Sequence, residues 1–396
     1  MKAKTIYLDY NATTPVDERV IEHMMPFFTM EFGNAASKSH CYGWNAEQAV
    51  SDARLQILNS IGAKSPDEII FTSGATESNN LAIKGIIEAT GGKHIITSPI
   101  EHPCVLKTCD SLKKYGVQCT VLPIDKSGVI SVDAIRAAIR PDTALISIMA
   151  VNHEIGTIQP VDEIAEVAGH NGILFHCDAA QAVGKIPFDV HRQGIDLLSI
   201  SGHKIYGPKG VGALYIRKSP RKTPLSPQMI GGGQEQDYRS GTLNVPGIVG
   251  LGWACHYAGE DMNANNDKVE GLRRYFLEYL DHAEIDFLIH GTMADRVTGN
   301  LNLAFGKVPS DKLINSLKGI AVSGGSACSS GKANGSEILK AMGYSEKEAS
   351  RAIRISISHR TTRQEIEIAA QEIIRKAQNL GCSSKMTRLP KMAINA

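Results

Sequence analysis

The sequence predicts an α/β fold in which a mostly parallel sheet is covered by helices, followed by a smaller α+β domain. Three observations support this: short apolar or β-branched runs recur between about residues 65 and 217, helix-period segments separate several of them, and the pattern changes around the polar stretch 259–271. Runs that are apolar throughout are typical of strands buried on both faces, and alternation with helices favours parallel pairing. We expect a large domain over 16–259 and a small domain over 260–396 together with 1–15.

The predicted sheet takes its strands from seven runs. They are EIIF (68–71), HIIT (94–97), CTVLPI (119–124), ALISIM (144–149), GILFH (172–176), DLLSI (196–200) and GALYI (212–216). Apolar residues recur at helical spacing in two intervening segments, ESNNLAIKGIIEA (77–89) and VDEIAEVAGH (161–170), which are predicted helices. These helices provide the connections that parallel strands require.

The small domain shows a mixed pattern. The stretch GEDMNANNDKVEG (259–271) is expected to open a helix, and short strands are predicted near FLI, NLNLAF and AIRISIS. A closing helix is predicted over RQEIEIAAQEIIRKAQ, and the tail from residue 381 onward is expected to fray. The first 15 residues are compatible with packing on either domain.

Composition excludes several functional classes. The formal net charge of +1 gives no basic surface, so we predict no direct contact with nucleic acid. No apolar run approaches the roughly 18 residues of a membrane helix, and the N-terminus lacks the pattern of a signal or transit peptide. The eight cysteines form no disulfide framework, and neither C-x-x-C nor H-x3-H occurs, so no metal site is predicted. A cytoplasmic location is the resulting expectation.

Polar residues follow five of the predicted strands. These clusters are TSGATES (72–78), SPIEH ending in His102, AVNHEIG (150–156), CDAAQ (177–181) and SGHK (201–204). Ligands bind beyond the carboxyl ends of strands in an open parallel sheet, so the five clusters are expected to share one edge. Taken singly, an aspartate is more often a helix cap, and a histidine or lysine is more often structural or solvated. Their joint placement favours a site.

The chemistry of these clusters is that of a pyridoxal phosphate site. The small-residue turn in TSGATES leads into a helix and is suited to phosphate, although Thr76 also fits the role of an ordinary helix cap. Lys204 is placed to form a Schiff base, and Asp178 is placed to pair with a protonated pyridine nitrogen. His102 is a candidate for stacking on the ring, and Gln181 for a hydrogen bond to its phenolic oxygen.

One cysteine, Cys328, lies in the Gly- and Ser-rich stretch VSGGSACSSGKANG (322–335). Four alternative explanations fit a thiol in such a loop: an accident of composition, a phosphate-binding loop, a metal ligand or a nucleophile. A P-loop does not fit, because five residues rather than four separate Gly325 from Gly331, and Ala333 lacks the hydroxyl that holds magnesium. The stretch GPKGVG (207–212) does not match the dinucleotide-binding pattern G-x-G-x-x-G either.

Nine motifs stand out along nearly the whole chain. They are YLDYNATTP (7–15), FGNAAS (32–37), FTSGATESNN (71–80), ITSPIEH (96–102), HCDAAQAVGK (176–185), SGHKIYGPKG (201–210), RSGTLN (239–244), SGGSACSSG (323–331) and IRISIS (353–358). In their residues, order and spacing, these motifs resemble the cysteine desulfurases of the NifS/IscS type, within the class V aminotransferase group of fold-type I pyridoxal phosphate enzymes.

The resemblance implies a role for each matching residue. Catalytic roles are implied for the cofactor-binding Lys204, for His102 in ring stacking and proton transfer, and for Cys328 as the residue that receives sulfur. The implied cofactor-binding residues are Ala75, Thr76, Asp178, Gln181, Ser201, His203, Lys204 and Thr242. Substrate-binding roles are implied for Arg354, which would grip the substrate carboxylate, and for Asn152 and His153.

The resemblance also implies partners and a reaction. Thr242 is similar to a phosphate ligand donated by a second subunit, which implies a homodimer. The expected substrate is L-cysteine, whose Cα proton Lys204 or His102 would remove. The expected products are L-alanine and a persulfide on Cys328 that passes to a protein acceptor, such as an iron–sulfur scaffold or an acceptor for tRNA thiolation or DNA sulfur modification.

This chain departs from the family pattern at several positions. His153 and His359 stand where the family usually has asparagine and arginine, and the stretch after Cys328 lacks the common sequence. These departures concern the acceptor more than the sulfur chemistry. A selenocysteine lyase, another pyridoxal phosphate enzyme, or a non-catalytic binding protein with the same fold are the alternative hypotheses.

Overall fold

The computed structural model describes residues 5–218, 220, 222–325 and 335–383. The predicted sulfur-carrying residue Cys328 and most of the predicted frayed tail lie outside the described residues. Among the described helices, none combines the length and apolar character needed to cross a membrane.

Strands and helices alternate along most of the described chain. The strands are β1 (Ile6–Tyr7), β2 (Ile69–Thr72), β3 (His94–Thr97), β4 (Gln118–Val121), β5 (Thr143–Met149), β6 (Leu174–Asp178), β7 (Leu197–Ser201), β8 (Gly212–Ile216), β9 (Phe287–Ile289), β10 (Asn300–Phe305), β11 (Ile320–Ala321) and β12 (Ile353–Ser356). The helices are α1 (Glu18–Met24), α2 (Pro26–Thr29), α3 (Cys41–Ile61), α4 (Ala75–Thr90), α5 (Pro103–Leu112), α6 (Val132–Ala138), α7 (Val161–His170), α8 (Val245–Glu260), α9 (Met262–His282), α10 (Ser310–Ser316), α11 (Glu337–Ala341), α12 (Glu346–Ala349) and α13 (Arg363–Asn379).

The chain divides into two compact units. The larger comprises Asn11–Ala264 and Thr292–Val297, and the smaller comprises the described parts of Met1–Tyr10, Asn265–Gly291 and Thr298–Ala396. The sequence-based boundaries were 16–259 and 260–396 with 1–15, so the N-terminal segment is shared between the units instead of belonging to one. This sharing matters because residues 11–14 contact the candidate site of the larger unit.

The larger unit is built on a seven-stranded sheet in the order β2-β8-β7-β6-β5-β3-β4. Strand β8 runs antiparallel to both of its neighbours, and the other pairs are parallel. The predicted α/β class with a mostly parallel sheet is therefore confirmed. Strands β3 and β8 have the predicted bounds, whereas β2 begins one residue late because Glu68 closes a capping box with Ser65.

Both faces of this sheet are buried. In β2, Ile69 and Phe71 belong to one apolar cluster, whereas Ile70 between them belongs to a second cluster on the opposite face. Helices α4 and α5 contribute to the second cluster, and α3, α7 and α8 contribute to the first. Burial on both faces explains why the strands are apolar throughout instead of alternating.

The smaller unit contains a three-stranded antiparallel sheet in the order β12-β10-β9 and a separate parallel pair, β1-β11. Helices α9 and α13 pack their apolar residues into the same core as these strands. Thr362 begins α13 with a capping box that pairs its side chain with Glu365. The predicted strands FLI and NLNLAF have the predicted bounds, while the IRISIS strand is shorter.

Candidate active site

The turn between β2 and α4 provides a place for an anion. Gly74 precedes the helix with a φ of 145°, and no side chain among the described residues caps the helix. A Cβ at Gly212 in β8 would approach the Cα of Gly74 to 2.6 Å, so the two backbones require glycine to lie this close. The uncapped N–H groups of the first turn, which holds Ala75 and Thr76, are suited to bind an oxyanion. Thr76 is therefore inside the helix and is not its cap.

Strand β7 ends at Ser201, and a 3-10 turn over Gly202–Lys204 follows it. The Lys204 Nζ donates hydrogen bonds to the carbonyl oxygens of Asn11 and Ala12, each at 2.7 Å. His203 lies beside Thr13, with its Nδ1 3.1 Å from the threonine Oγ1. Burial, with help from Lys204 and Lys209, lowers the pKa of His203 to about 4, so this imidazole is neutral at physiological pH.

Residues 11–14, at the start of the larger unit, thus pack against the 3-10 turn Gly202–Lys204. Thr14 donates to the His203 carbonyl oxygen through both its backbone N–H, at 3.0 Å, and its hydroxyl, at 3.1 Å. Sequence reasoning did not assign this segment to the site, because nothing in its local pattern indicates contacts about 190 residues away.

Asp178 lies at the end of β6 and is buried. Its Oδ2 accepts a hydrogen bond from Asn79 Nδ2 at 2.7 Å, and its Oδ1 accepts one from the Ala180 N–H at 3.0 Å. Gln181 donates from Nε2 to the Asn11 carbonyl oxygen and accepts from Lys185 Nζ, each at 2.8 Å. A buried carboxylate with two neutral donors remains an acceptor for a cation.

His102 directly precedes α5 and caps it, because its Nδ1 accepts from the Cys104 N–H at 3.2 Å. The Cys104 Sγ lies 2.9 Å from the same nitrogen. Burial lowers the pKa of His102, with Asp178 opposing the change and Lys204 adding to it. Both Asp178 and Lys204 therefore act electrostatically on this ring.

Asn152 and His153 follow β5 and differ in their roles. The Asn152 Oδ1 accepts from the N–H groups of Glu154 and Ile155, and its Nδ2 donates to the Ile100 carbonyl oxygen. These bonds hold the turn after the strand. The His153 ring lies edge-on to His102, with centroids 5.5 Å apart. Substrate contact by either residue stays a prediction.

Glu101, next to His102, is fully buried. Its Oε1 accepts from the Ser98 hydroxyl and the Met149 N–H, whereas its Oε2 has no hydrogen-bond partner among the described residues. Burial raises its pKa to about 8, with Asp178 adding to the effect, although the two hydrogen bonds oppose it. The side chain is therefore largely protonated at neutral pH, which sequence reasoning did not foresee.

Arg354 belongs to the smaller unit, where it lies on β12 with its side chain almost wholly buried. Its Nη2 donates to Asp9 Oδ1 at 2.6 Å. Its backbone exchanges hydrogen bonds with Ser323, whose hydroxyl donates to the Gly325 carbonyl oxygen at 2.8 Å. The strand that carries Arg354 is thus tied to the start of the stretch that contains Cys328.

The larger unit brings most of the predicted cofactor residues to one edge of its sheet. These residues follow or end strands β2, β3, β6 and β7, as Ala75, Thr76, His102, Asp178, Gln181, Ser201, His203 and Lys204 do. Thr242 is an exception, since its side chain is exposed in the segment before α8. Sequence reasoning also missed Asn79 and Cys104. Asn79 lies within the quoted motif FTSGATESNN, whereas Cys104 lies outside every quoted motif.

Comparison with known proteins identifies relatives over nearly the whole length. The family model for aminotransferase class-V matches residues 6–368. Cysteine desulfurase IscS of Rickettsia bellii (strain OSU 85-389) is 49% identical over 377 residues, covering 95% of this chain and 92% of the relative. A solved NifS-like protein has a TM-score of 0.88 at 37% identity, covering 95% of this chain and 100% of the other. The structure of SspA in complex with cysteine has a TM-score of 0.80 at 40% identity, covering 90% of this chain and 100% of the other.

Proposed function

The chain belongs to the aminotransferase class-V family, and from that premise we propose that it is a cysteine desulfurase that depends on pyridoxal phosphate. It removes sulfur from L-cysteine and releases L-alanine. The relatives named above support this reaction, since one is a cysteine desulfurase IscS and another is a protein in complex with cysteine. The observation that carries the proposal is the grouping of Lys204, Asp178 and the uncapped start of α4 at one sheet edge.

The residues of this edge fit pyridoxal phosphate. The first turn of α4 offers backbone donors to the phosphate. The space in front of Gly74 is open, since a Cβ built on this residue would meet no atom within 4 Å. Asp178 supplies the buried carboxylate that a protonated pyridine nitrogen needs. Lys204 supplies the primary amine, and Gln181 supplies an amide for the phenolic oxygen. When bound, the cofactor provides an electron sink for the bonds at the substrate Cα.

The chain's own residues then divide the remaining work. Lys204 holds and moves a proton at Nζ, which already lies between two carbonyl oxygens that orient it. Asp178 is held by Asn79 and Ala180, so its carboxylate is fixed before the cofactor arrives. His203 stays neutral and contributes hydrogen bonding without charge.

The family resemblance supplies two further residues of the proposed reaction. Arg354 binds the substrate carboxylate, for which a guanidinium is suited because it forms paired hydrogen bonds. The Cys328 thiolate attacks the sulfur of L-cysteine: a sulfur–sulfur bond forms, the carbon–sulfur bond breaks, and its electron pair stays on the carbon side. The cysteine persulfide then passes its outer sulfur to an acceptor.

The assembly and the acceptor are also part of the proposal. We infer a homodimer in which Thr242 reaches the phosphate of the partner's site, which agrees with the exposure of its side chain. The sulfur acceptor is a protein, of which an iron–sulfur scaffold is one kind, and the enzyme works in the cytoplasm.

The test is alanine release. Protein loaded with pyridoxal phosphate is incubated with L-cysteine and a reductant, and alanine and sulfide are quantified. We expect equal amounts of both from the unaltered protein and no measurable turnover from Lys204→Ala, which loses the amine. The matched control is Lys185→Ala, which removes a nearby lysine that contacts Gln181 and should retain substantial activity. Absence of both products from the unaltered protein would refute the proposal.

A further inference from the structure

A continuous set of hydrogen bonds links Asp178 to His102 through two residues that the reaction above does not use. Asn79 Nδ2 lies 2.7 Å from Asp178 Oδ2 and 3.1 Å from Cys104 Sγ. The Cys104 Sγ in turn lies 2.9 Å from His102 Nδ1. Asn79 is fully buried on α4 and Cys104 is partly buried in the first turn of α5, so the network crosses between two helices.

The direction of each hydrogen bond follows from what each group can donate. An ionised Asp178 can only accept, so Asn79 must present its amide hydrogens. One goes to Asp178 and the other to the Cys104 sulfur. The Thr76 hydroxyl is a further side-chain partner of the Cys104 sulfur. With Asn79 and Thr76 donating to the sulfur, the Cys104 thiol hydrogen points at His102 Nδ1. The backbone N–H of Cys104 also points at this nitrogen and can only donate.

His102 Nδ1 therefore accepts from two donors and carries no hydrogen of its own. The single hydrogen of the neutral ring must then lie on Nε2. To act as a base, the ring would have to take a proton at Nδ1 and break the contacts with Cys104. The geometry points to His102 as a neutral hydrogen-bond donor through Nε2, with Cys104 and Asn79 as positioning residues that fix this tautomer.

The tautomer of His102 determines which residue can remove a proton in the reaction. His102 donates a hydrogen bond and removes no proton, so Lys204 is the base at the substrate Cα. The division rests on the proposed function, whereas the tautomer of His102 does not. A neutral histidine that polarises a reacting group by hydrogen bonding is an established catalytic device.

The surroundings of His102 support the neutral form. Burial lowers its pKa, and the positive charge of Lys204 adds to this, while Asp178 acts in the opposite direction. Within the described residues, the other titratable groups facing the ring are His153, edge-on at 5.5 Å, and Cys104. Burial and the charge of Asp178 raise the pKa of Cys104 to about 12, so its thiol keeps the hydrogen that it donates.

The experiment observes the ring itself. Cofactor-loaded enzyme is labelled with nitrogen-15 histidine, and imidazole signals are recorded by NMR from pH 8.5 down to the most acidic pH at which the enzyme stays folded. The signal of His102 is assigned by its loss in His102→Gln. We expect a neutral ring with the hydrogen on Nε2 at pH 7 and protonation of the ring only in the acidic part of this range. In Cys104→Ala, loss of one donor to Nδ1 should raise the pKa of His102 by about 0.5–1 pH unit.

Two variants make the test specific. Cys104→Ser keeps a hydroxyl donor and should restore the low pKa of His102. Cys109→Ala, on the same helix but buried in the apolar cluster, should leave the ring unchanged. A hydrogen on Nδ1, a charged ring at pH 7, or a Cys104→Ala ring identical to the unaltered one would overturn the inference. If the ring behaves as expected but no alanine is formed, the proposed function fails and the tautomer assignment stands.

Discussion

Replacement of Glu101 by glutamine should make the protein less sensitive to rising pH. Glu101 is buried with its Oε2 lacking a partner among the described residues, and its pKa is raised from 4.5 to about 8. The folded protein therefore binds a proton that the unfolded chain releases between these two values. The contribution of Glu101 to stability is therefore complete below pH 4.5 and is lost as pH rises towards 8. Glu101→Gln keeps the accepting Oε1 and removes the ionisation.

The magnitude follows from the two pKa values. The gap between 4.5 and about 8, at about 1.36 kcal/mol for each pH unit, sets a ceiling of about 5 kcal/mol on the loss. About 4 kcal/mol of this falls above pH 5. The new amide hydrogens lack an acceptor, which costs about 1–3 kcal/mol at every pH. The diagnostic quantity is therefore the change with pH in the stability difference between Glu101→Gln and the unaltered protein. The stability difference at a single pH is not diagnostic.

The assay is the melting temperature of both proteins, each saturated with cofactor, at pH 5 and pH 8.5. At about 1–2 °C for each kcal/mol in a chain of this length, the variant should gain about 4–8 °C on the unaltered protein between the two pH values. Equal shifts with pH for the two proteins would refute the reasoning, because they would mean that Glu101 ionises normally in the fold.

Glu68→Gln is the matched control. Glu68 is also buried, but hydrogen bonds from the Lys218 and Lys64 N–H groups and from His191 overcome the effect of burial and lower its pKa. Its contribution to stability is therefore complete above pH 4.5 and is lost only at lower pH. The difference in melting temperature between this variant and the unaltered protein should change far less between pH 5 and pH 8.5 than the difference caused by Glu101→Gln.

Two further predictions concern the site. Asp178→Asn replaces the carboxylate that we propose pairs with the pyridine nitrogen, so we expect cofactor affinity to fall at least about 10-fold in an absorbance titration; unchanged affinity would remove Asp178 from the cofactor site. Arg354→Lys loses the paired hydrogen bonds of the guanidinium, so the KM for L-cysteine should rise about 10- to 100-fold while cofactor affinity stays the same; an unchanged KM would contradict the role of Arg354.

The α/β class, the position of most strands and the grouping of polar residues at the strand ends could be predicted from the sequence. Runs that are apolar throughout indicate a sheet covered on both faces, and the carboxyl ends of such strands are where ligands bind. That rule led to Asp178 at the end of β6 and Lys204 just after β7. The roles of Cys328 and Arg354 came instead from the resemblance, since local pattern does not reveal them.

Contacts between distant parts of the chain could not be predicted. Lys204 bonds to the Asn11 carbonyl oxygen across 193 residues, and Arg354 pairs with Asp9 across 345. The link between Asn79 and Cys104 depends on how α4 and α5 pack, and the raised pKa of Glu101 depends on burial that composition does not encode. These features depend on tertiary packing, which the periodicity of one segment does not reveal.

In the proposed reaction, sulfur from L-cysteine reaches Cys328. Cofactor-loaded protein is mixed with an equimolar amount of L-cysteine without reductant, alanine is quantified, and the position of the persulfide is found by mass spectrometry of peptides. We expect alanine equal in amount to active subunits and one added sulfur atom on the peptide that contains Cys328. Alanine formation in Cys328→Ser at the unaltered rate, or added sulfur on a different cysteine, would contradict it.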